Sequence, residues 1–282
     1  MEMIDNRSIL SPTRGFLGPG FTHSLNPYSG CAFAGTMCGV YCYAQHEGNI
    51  TKGRPWQLYG AKKNASAAYR ADYDRLKRPR RSTPRPLKIY MSSVTDPYVP
   101  QEKSQQITRS VLLEMLERPP DVLVIQTHAT LIERDIEIIE QLSRLCRLWV
   151  SVTVETDMDH PLPGFPPHAS LPSRRIETLQ LFRCRGVRTQ ATVSPLCPLA
   201  DVSGFAQRLE RACDRVIVDH YLIGDGSKNG LRTKRTGFGA MLEAAGYGEW
   251  TRLEKLWDVR DRLIEVLGVE RVLVSCEGFN EV

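Results

Sequence analysis

Short runs rich in β-branched residues alternate with longer amphipathic stretches through most of the chain. The runs are "LKIYMS" (87–92), "DVLVIQT" (121–127), "RLWVSVTV" (147–154), "VRTQATV" (187–193) and "DRVIVD" (214–219). They are typical of buried parallel strands, and a weaker strand is expected at 22–28. The intervening stretches have the length and apolar spacing of crossover helices, and they span 102–117, 131–146, 172–184 and 203–213. This order of elements predicts an α/β fold on a parallel sheet.

The composition narrows the class of protein. A chain of 282 residues with 41% hydrophobic residues can form one large compact domain. The first residues have no signal-peptide pattern, and no run of about 18 apolar residues could span a membrane. The eight cysteines are not arranged as in a small disulfide-rich secreted domain. We therefore expect reduced thiols and a cytoplasmic protein.

Three cysteines lie within twelve residues, in "SGCAFAGTMCGVYCYAQH" (29–46). Cys31, Cys38 and Cys42 follow the weak strand, so the loop is expected at the carboxyl end of that strand. Parallel α/β proteins place their chemistry at that edge of the sheet. The later strands also end in polar, turn-rich segments, which should converge on the same edge.

Three kinds of cysteine site fit this loop. A disulfide would leave one thiol over and is disfavoured in a reducing compartment. A structural zinc site would take His46 as a fourth ligand. An iron-sulfur cluster held by three thiolates would leave one iron without a protein ligand. Cys38 and Cys42 can share a helical face, and Gly39 would let the backbone approach a cluster closely.

Two segments interrupt the alternation, and one more follows it. "KRPRRSTPRP" (77–86) should be an extended, solvated connection, with a nucleic-acid contact as the alternative. "GDGSKNGLRTKRTGFG" (224–239) should be a long loop that covers a site or binds substrate. Residues 250–268 should form an amphipathic helix that turns one apolar side inward, and 271–275 a final strand. The predicted inward side chains are Trp250, Leu253, Trp257, Val259 and Leu263.

The loop "NPYSGC…MCGVYCYAQ", with "TDPYVPQE" at 95–102, resembles the radical SAM enzymes and, more narrowly, their spore photoproduct lyase-like branch. Further matches to the branch are "THATLIERD" (127–135), "VSVT" (150–153), "LPSRRIETLQLFRCRGV" (171–187) and "SPLCPLAD" (194–201). The resemblance covers about residues 22–220. The spacing here is C-x6-C-x3-C, which is longer than the branch's usual loop, and Tyr41 precedes the last cysteine as the branch's aromatic residue does.

The resemblance implies a partial (β/α)6 TIM-like barrel of parallel strands over 22–225, with an N-terminal extension (1–21) and a C-terminal extension (226–282). It implies that Cys31, Cys38 and Cys42 hold a 4Fe-4S cluster with S-adenosyl-L-methionine on its open iron. One electron would then cleave the cofactor to methionine and a 5′-deoxyadenosyl radical, which abstracts hydrogen from an unassigned substrate.

Candidate site residues follow from their positions at strand ends. The predicted cofactor-binding side chains are those of Tyr41, Ser92, Ser93, Asp96, Ser151, Thr153 and Ser194. Cys197 and Cys276 are candidate hydrogen-atom donors to a substrate radical. His220 and His128 are candidates for substrate binding or acid-base chemistry, and His220 is the stronger of the two.

Two other functions stay open at this point. One is repair of a nucleic-acid lesion by a photoproduct lyase type of reaction, because the branch and the basic residues around 77–88 allow it. The other is a non-catalytic protein that binds zinc or an iron-sulfur cluster. For the radical enzyme, an electron donor such as flavodoxin or ferredoxin is the expected partner, with no membrane involved.

Overall fold

A computed structural model describes residues 1–78 and 85–282 of the chain. An eight-stranded sheet has the order β11-β10-β9-β8-β7-β6-β3-β2, and all of its neighbouring pairs are parallel except β2 with β3. A smaller sheet has the order β1-β5-β4. The strands are β1 (Glu2–Ile4), β2 (Leu10–Pro12), β3 (His23–Leu25), β4 (Tyr28–Ser29), β5 (Gly60–Lys62), β6 (Lys88–Met91), β7 (Val122–Thr127), β8 (Arg147–Thr153), β9 (Thr189–Val193), β10 (Arg215–Val218) and β11 (Val272–Val274).

The α-helices connect and cover these strands. They are α1 (Met37–Tyr41), α2 (Gly48–Thr51), α3 (Ala65–Leu76), α4 (Glu102–Gln105), α5 (Ile107–Glu117), α6 (Ile136–Leu145), α7 (Pro172–Cys184), α8 (Val202–Ala212), α9 (Leu231–Lys234), α10 (Phe238–Ala244), α11 (Glu254–Leu267) and α12 (Ser275–Asn280). Pro172 begins α7, where a missing N–H costs nothing. The Asp201 carboxylate caps α8 by accepting from the Gly204 N–H at 3.0 Å.

The predicted α/β class is confirmed, as a mixed fold on a mostly parallel sheet of the kind found in partial TIM-like folds. The five predicted runs and the weaker first strand each contain a strand of the large sheet, and the predicted last strand pairs in parallel with β10. The helix expected over 102–117 is instead two helices, since Gln106 has φ +52°. Strand β2, from the first residues, was not predicted.

The two faces of the large sheet carry different side chains. Alternate residues of each strand point to opposite faces. On one face, Leu123, Ile125, Val150 and Val152 are completely buried in the main apolar core together with helix residues. The other face has a smaller apolar cluster of Phe21, Tyr90, Val122, Val124 and Trp149. Polar side chains succeed this cluster toward the carboxyl ends of the strands, and there the site lies.

Some sequence predictions fall outside this description. Of the basic segment 77–86, residues 79–84 lie outside the described residues, so neither its extended form nor its nucleic-acid contact is tested. The division of the chain after residues 21 and 225 also stays a prediction, although β2 and β11 both join the large sheet. Among the described helices, none is long and apolar enough to cross a membrane.

Candidate metal centre and cofactor cavity

The three clustered cysteines lie in a compact double turn. Cys31 follows β4 and precedes a 3₁₀ turn (Ala32–Gly35), Cys38 lies in α1, and Cys42 directly follows that helix. The expectation that the loop runs into a helical turn is confirmed. Gly39 serves a different contact from the predicted one, because a β-carbon there would lie 1.9 Å from the Ala34 carbonyl oxygen. Gly39 therefore lets the loop fold back on itself.

A second glycine attaches the start of this loop to the smaller sheet. Gly30 has φ +72°, and a β-carbon on it would lie 1.8 Å from the Gln57 carbonyl oxygen. The Tyr59 N–H donates to the Ser29 carbonyl at 3.1 Å as β4 and β5 pair. Residues 55–59 are thereby held against the cysteine loop.

All three thiols line one cavity of about 670 Å³ at the carboxyl ends of the large sheet's strands. Burial raises the pKa of Cys31 to about 12. Burial, followed by the neighbouring thiols, raises the pKa of Cys38 well above its usual value, and burial also raises that of Cys42. Without a cation the thiols are protonated, so a metal would have to displace their protons. Three thiols on one wall fit the donor set of an iron-sulfur cluster.

A closed zinc site is not formed by the same residues. Among the residues that the structure describes, no three Cys, His, Asp or Glu side chains are grouped closely enough to hold a single metal ion. His46, the predicted fourth ligand, is exposed at the end of a 3₁₀ turn (Tyr43–His46). It is absent from the described lining of the cavity.

Most of the predicted cofactor-binding residues line the cavity. These are Tyr41, Ser92, Ser93, Asp96, Thr153 and Ser194. Ser151 does not belong to the described lining, since it lies deeper in β8 and accepts a hydrogen bond from Gln190 Nε2 at 2.9 Å. The structure therefore brings six of these seven side chains together with the cysteines, while their roles stay predictions.

The carboxylate of Asp96 joins the ends of two strands. It accepts from the Tyr98 N–H at 2.8 Å, the Thr127 hydroxyl at 2.8 Å and the His128 N–H at 2.7 Å. His128 in turn lies 3.3 Å by its Nε2 from the Tyr41 hydroxyl. Because these bonds occupy both carboxylate oxygens, Asp96 positions the residues after β6 and β7 around the cysteine loop.

Gln126 organises a polar layer across the cavity floor. Its amide donates to the Thr153 hydroxyl at 2.7 Å and to the Thr192 hydroxyl at 2.9 Å, and it accepts from the Tyr90 hydroxyl at 3.1 Å. These four side chains come from β6, β7, β8 and β9. Sequence reasoning missed this layer, although a glutamine inside the apolar run "VLVIQT" was its signal.

A buried ion pair lies next to the cysteine loop, outside the cavity. Arg175 of α7 makes two hydrogen bonds to the Glu155 carboxylate, at 2.6 and 3.1 Å, and both side chains are 2% exposed. Burial would raise the pKa of Glu155, but the charge and hydrogen bonds of Arg175 hold it below its usual range. Arg175 also donates to the Thr153 carbonyl. The pair thus fixes the end of β8.

Asp219 and His220 line the end of the cavity that follows β10. The Asp219 carboxylate accepts from the Ser194 hydroxyl at 3.2 Å and the His220 N–H at 2.9 Å, and burial raises its pKa to about 7. The His220 ring accepts from the Leu222 N–H at Nδ1 and donates from Nε2 to the Trp250 carbonyl. Burial lowers the pKa of His220. Both ring nitrogens are thus engaged with backbone, so acid-base chemistry by His220 would require these bonds to break.

The two candidate hydrogen-atom donors point away from the cavity. The Cys197 thiol is completely buried and donates to the Pro195 carbonyl at 3.4 Å. The Cys276 thiol donates to the Phe16 carbonyl at 3.2 Å. In the described structure neither cysteine lines the cavity.

Residues from both ends of the chain complete the mouth of the cavity. Arg14, Phe16, Arg232 and Phe279 line it, and the rings of Phe16 and Phe279 lie 5.5 Å apart. Asn280 links the two ends, because it donates to the Phe16 carbonyl at 2.6 Å and accepts from the Gly20 N–H at 2.7 Å. No sequence pattern pointed to these residues, whereas the loop 224–239, predicted as a site loop, does supply Arg232.

No family model matches the chain. An uncharacterized protein of Methanocaldococcus jannaschii is 30% identical to it over 185 residues, which are 65% of this chain. The chain spans 64% of that relative's length.

Solved structures of one enzyme share the fold. Spore photoproduct lyase complexed with dinucleoside spore photoproduct aligns with 96% of this chain and 81% of its own, with a TM-score of 0.59 and 13% identity. A single-residue variant of spore photoproduct lyase gives the same values. At this identity the likeness concerns the fold alone.

Proposed function

We propose that the protein is a radical SAM enzyme, in which Cys31, Cys38 and Cys42 hold a 4Fe-4S cluster with one open iron. The observation that carries the proposal is that the three thiols share one wall of a cavity with the polar ends of the parallel strands. When bound, the cluster would supply an electron to S-adenosyl-L-methionine and so generate a 5′-deoxyadenosyl radical for hydrogen abstraction. The fold shared with spore photoproduct lyase supports this reading.

The chain's own residues would bind and orient the cofactor. Ser92, which has φ +78°, and Ser93 lie on the lining after β6 and can hydrogen-bond to its polar groups. Thr153 and Ser194 offer hydroxyls from the ends of β8 and β9. Tyr41 is 7% exposed and forms an apolar part of the wall beside Cys42. Water is restricted by the covering loop 219–233 and the segment 12–17.

Anaerobic reconstitution with iron and sulfide tests the proposal. The wild-type protein should bind a cluster with the electron-spin signal of a reduced 4Fe-4S centre and should form 5′-deoxyadenosine from S-adenosyl-L-methionine under dithionite. Cys38→Ala should lose both properties. Cys184→Ala is the matched control, because Cys184 is an exposed cysteine at the end of α7. A wild-type protein that binds only zinc and never forms 5′-deoxyadenosine would contradict the proposal and favour a non-catalytic metal-binding protein.

A physiological electron donor would replace dithionite in the cell. We propose flavodoxin or ferredoxin for this role, since each is a one-electron donor of low potential. Support of 5′-deoxyadenosine formation by a reduced flavodoxin, measured against dithionite, is the corresponding test.

Repair of a nucleic-acid lesion is the second candidate function. It is favoured by the mouth of the cavity, where Arg14 and Arg232 lie with the ring pair of Phe16 and Phe279. Cations and aromatic rings together suit a phosphate backbone and stacked bases. An oligonucleotide that contains a thymine photoproduct should then bind in a salt-dependent manner, and Arg14→Ala should weaken binding. Salt-insensitive or absent binding would remove this candidate.

A further inference from the structure

We propose that the indole N–H of Trp56 donates a hydrogen bond to the Cys42 sulfur when that sulfur is a cluster ligand, and so raises the reduction potential of the cluster. This inference rests on the proposed function, because it concerns the same three-cysteine centre. It assigns a positioning and tuning role to a residue outside the cavity lining.

The first observation is an unused donor. The Trp56 Nε1 atom is buried, and it has no acceptor at hydrogen-bonding geometry among the described residues. Buried N–H groups of folded proteins nearly always have a partner, so such a donor calls for an acceptor that the metal-free protein does not provide. The indole N–H can only donate, which restricts the missing partner to an electron-rich atom.

The second observation identifies the acceptor. Burial raises the pKa of the Cys42 thiol, and hydrogen bonding from the Trp56 side chain counteracts part of that rise. The backbone N–H groups of Ala44 and Gln45 act in the same direction. A neutral thiol is a weak acceptor, whereas a thiolate accepts a charge-assisted hydrogen bond. Cluster binding would therefore convert Cys42 into the partner that the indole lacks.

The third observation is that Trp56 is fixed in place. It lies between Pro55 and Gln57, whose backbone atoms form a tight turn with an N···O distance of 2.9 Å. The Gln57 carbonyl lies directly against Gly30. Both sides of the cysteine loop, before Cys31 and after Cys42, thus contact the segment that carries the indole.

The expected consequence is electrostatic. A hydrogen bond to a ligating sulfur stabilises the more negative, reduced form of a cluster and raises its potential. Trp56→Phe keeps the ring and removes the N–H, so it should shift the midpoint potential to a more negative value. Trp257→Phe should leave it unchanged, because Trp257 is 37% exposed on α11.

A redox titration followed by electron-spin resonance measures this shift. Equal potentials in wild type and Trp56→Phe would overturn the inference, whether or not the cluster cleaves S-adenosyl-L-methionine. That outcome is distinct from failure of the proposed function, which is a missing cluster or missing 5′-deoxyadenosine in the wild type.

A metal-free measurement covers the case in which Trp56→Phe does not fold. The chain has four tryptophans, so a ¹⁵N-tryptophan label gives four indole N–H signals, which the single Trp→Phe variants assign. Cys42→Ala should shift the Trp56 signal and leave that of Trp149, another buried unpartnered indole, in place. An unmoved Trp56 signal would overturn the inference.

Discussion

Arg175 and Glu155 form an ion pair with two hydrogen bonds inside a region from which water is excluded. Removal of one partner leaves a buried charge without compensation. We expect Arg175→Met to lower the free energy of unfolding by about 3–5 kcal/mol. Urea unfolding of the metal-free protein measures this change.

The same helix provides the control for that substitution. Arg174 pairs with Glu177, but both side chains are more than half exposed, at 55% and 54%. An exposed pair contributes about 0–1 kcal/mol, so Arg174→Met should be close to neutral. Equal effects of the two substitutions would show that the buried pair does not stabilise the end of β8.

Asp219 should make stability depend on pH. Its folded-state pKa of about 7 lies above the ordinary value for an aspartate, so the folded state binds the proton more tightly than the unfolded chain does. This contribution is present at low pH and is lost as pH rises through about 7. The wild type should lose about 1.4 kcal/mol per pH unit within that window relative to Asp219→Asn.

Unfolding of both proteins at pH 5 and pH 8 checks this expectation. Asn resembles the neutral acid, so the two should be similarly stable at pH 5, and the variant should be the more stable at pH 8. A difference that does not change with pH would mean that Asp219 ionises normally in the folded protein.

Two glycines of the cysteine loop should respond differently to a methyl group. At Gly39 the added β-carbon meets the Ala34 carbonyl, whereas nothing lies within 4 Å of the corresponding position at Gly35. We expect Gly39→Ala to destabilise the protein by about 1–3 kcal/mol, as overpacking commonly does, and to reduce iron incorporation. Gly35→Ala should change neither. Thermal unfolding and iron content of the two variants provide the comparison.

His46→Ala should retain the full metal content of the wild type. The side chain is exposed and is not among the described residues that line the cavity. Iron and zinc analysis after reconstitution measures this, with Cys42→Ala as the variant that loses metal. If His46→Ala releases the metal as Cys42→Ala does, the site is a closed one with four protein ligands.

The strands could be predicted because burial on both faces writes itself into composition. In β7 all six residues are buried, and five of them belong to the apolar and β-branched types that favour strands. Cys31, Cys38 and Cys42 could be grouped because they are close in sequence. The residues at the carboxyl ends of the strands followed from the parallel arrangement.

Contacts between distant parts of the chain explain what could not be predicted. Glu102 is completely buried, and its carboxylate accepts from the Thr108 and Arg109 N–H groups. These bonds begin a new helix at Ile107 and place the break at Gln106, which no local pattern showed. Predicted as inward, Trp257 is 37% exposed and stacks with Arg260, while Leu256 is buried in its place.

The cavity mouth depends in the same way on contacts of long sequence separation. Arg14 and Phe16 are brought to it by Asn280, and Ser151 is turned away by Gln190 from a neighbouring strand. None of these pairings has a signature in either partner's own neighbourhood. Such residues become visible only once the strand order is known.

The bonds of Asn280 to Phe16 and Gly20 also set an order of events during synthesis. The wall that holds Phe16 in place cannot form until residue 280 has left the ribosome. A nascent chain therefore presents Cys31, Cys38 and Cys42 beside an open edge for almost the whole of translation. Assembly factors that deliver iron and sulfide would find the thiols accessible during that interval, before the last helix seals the entrance.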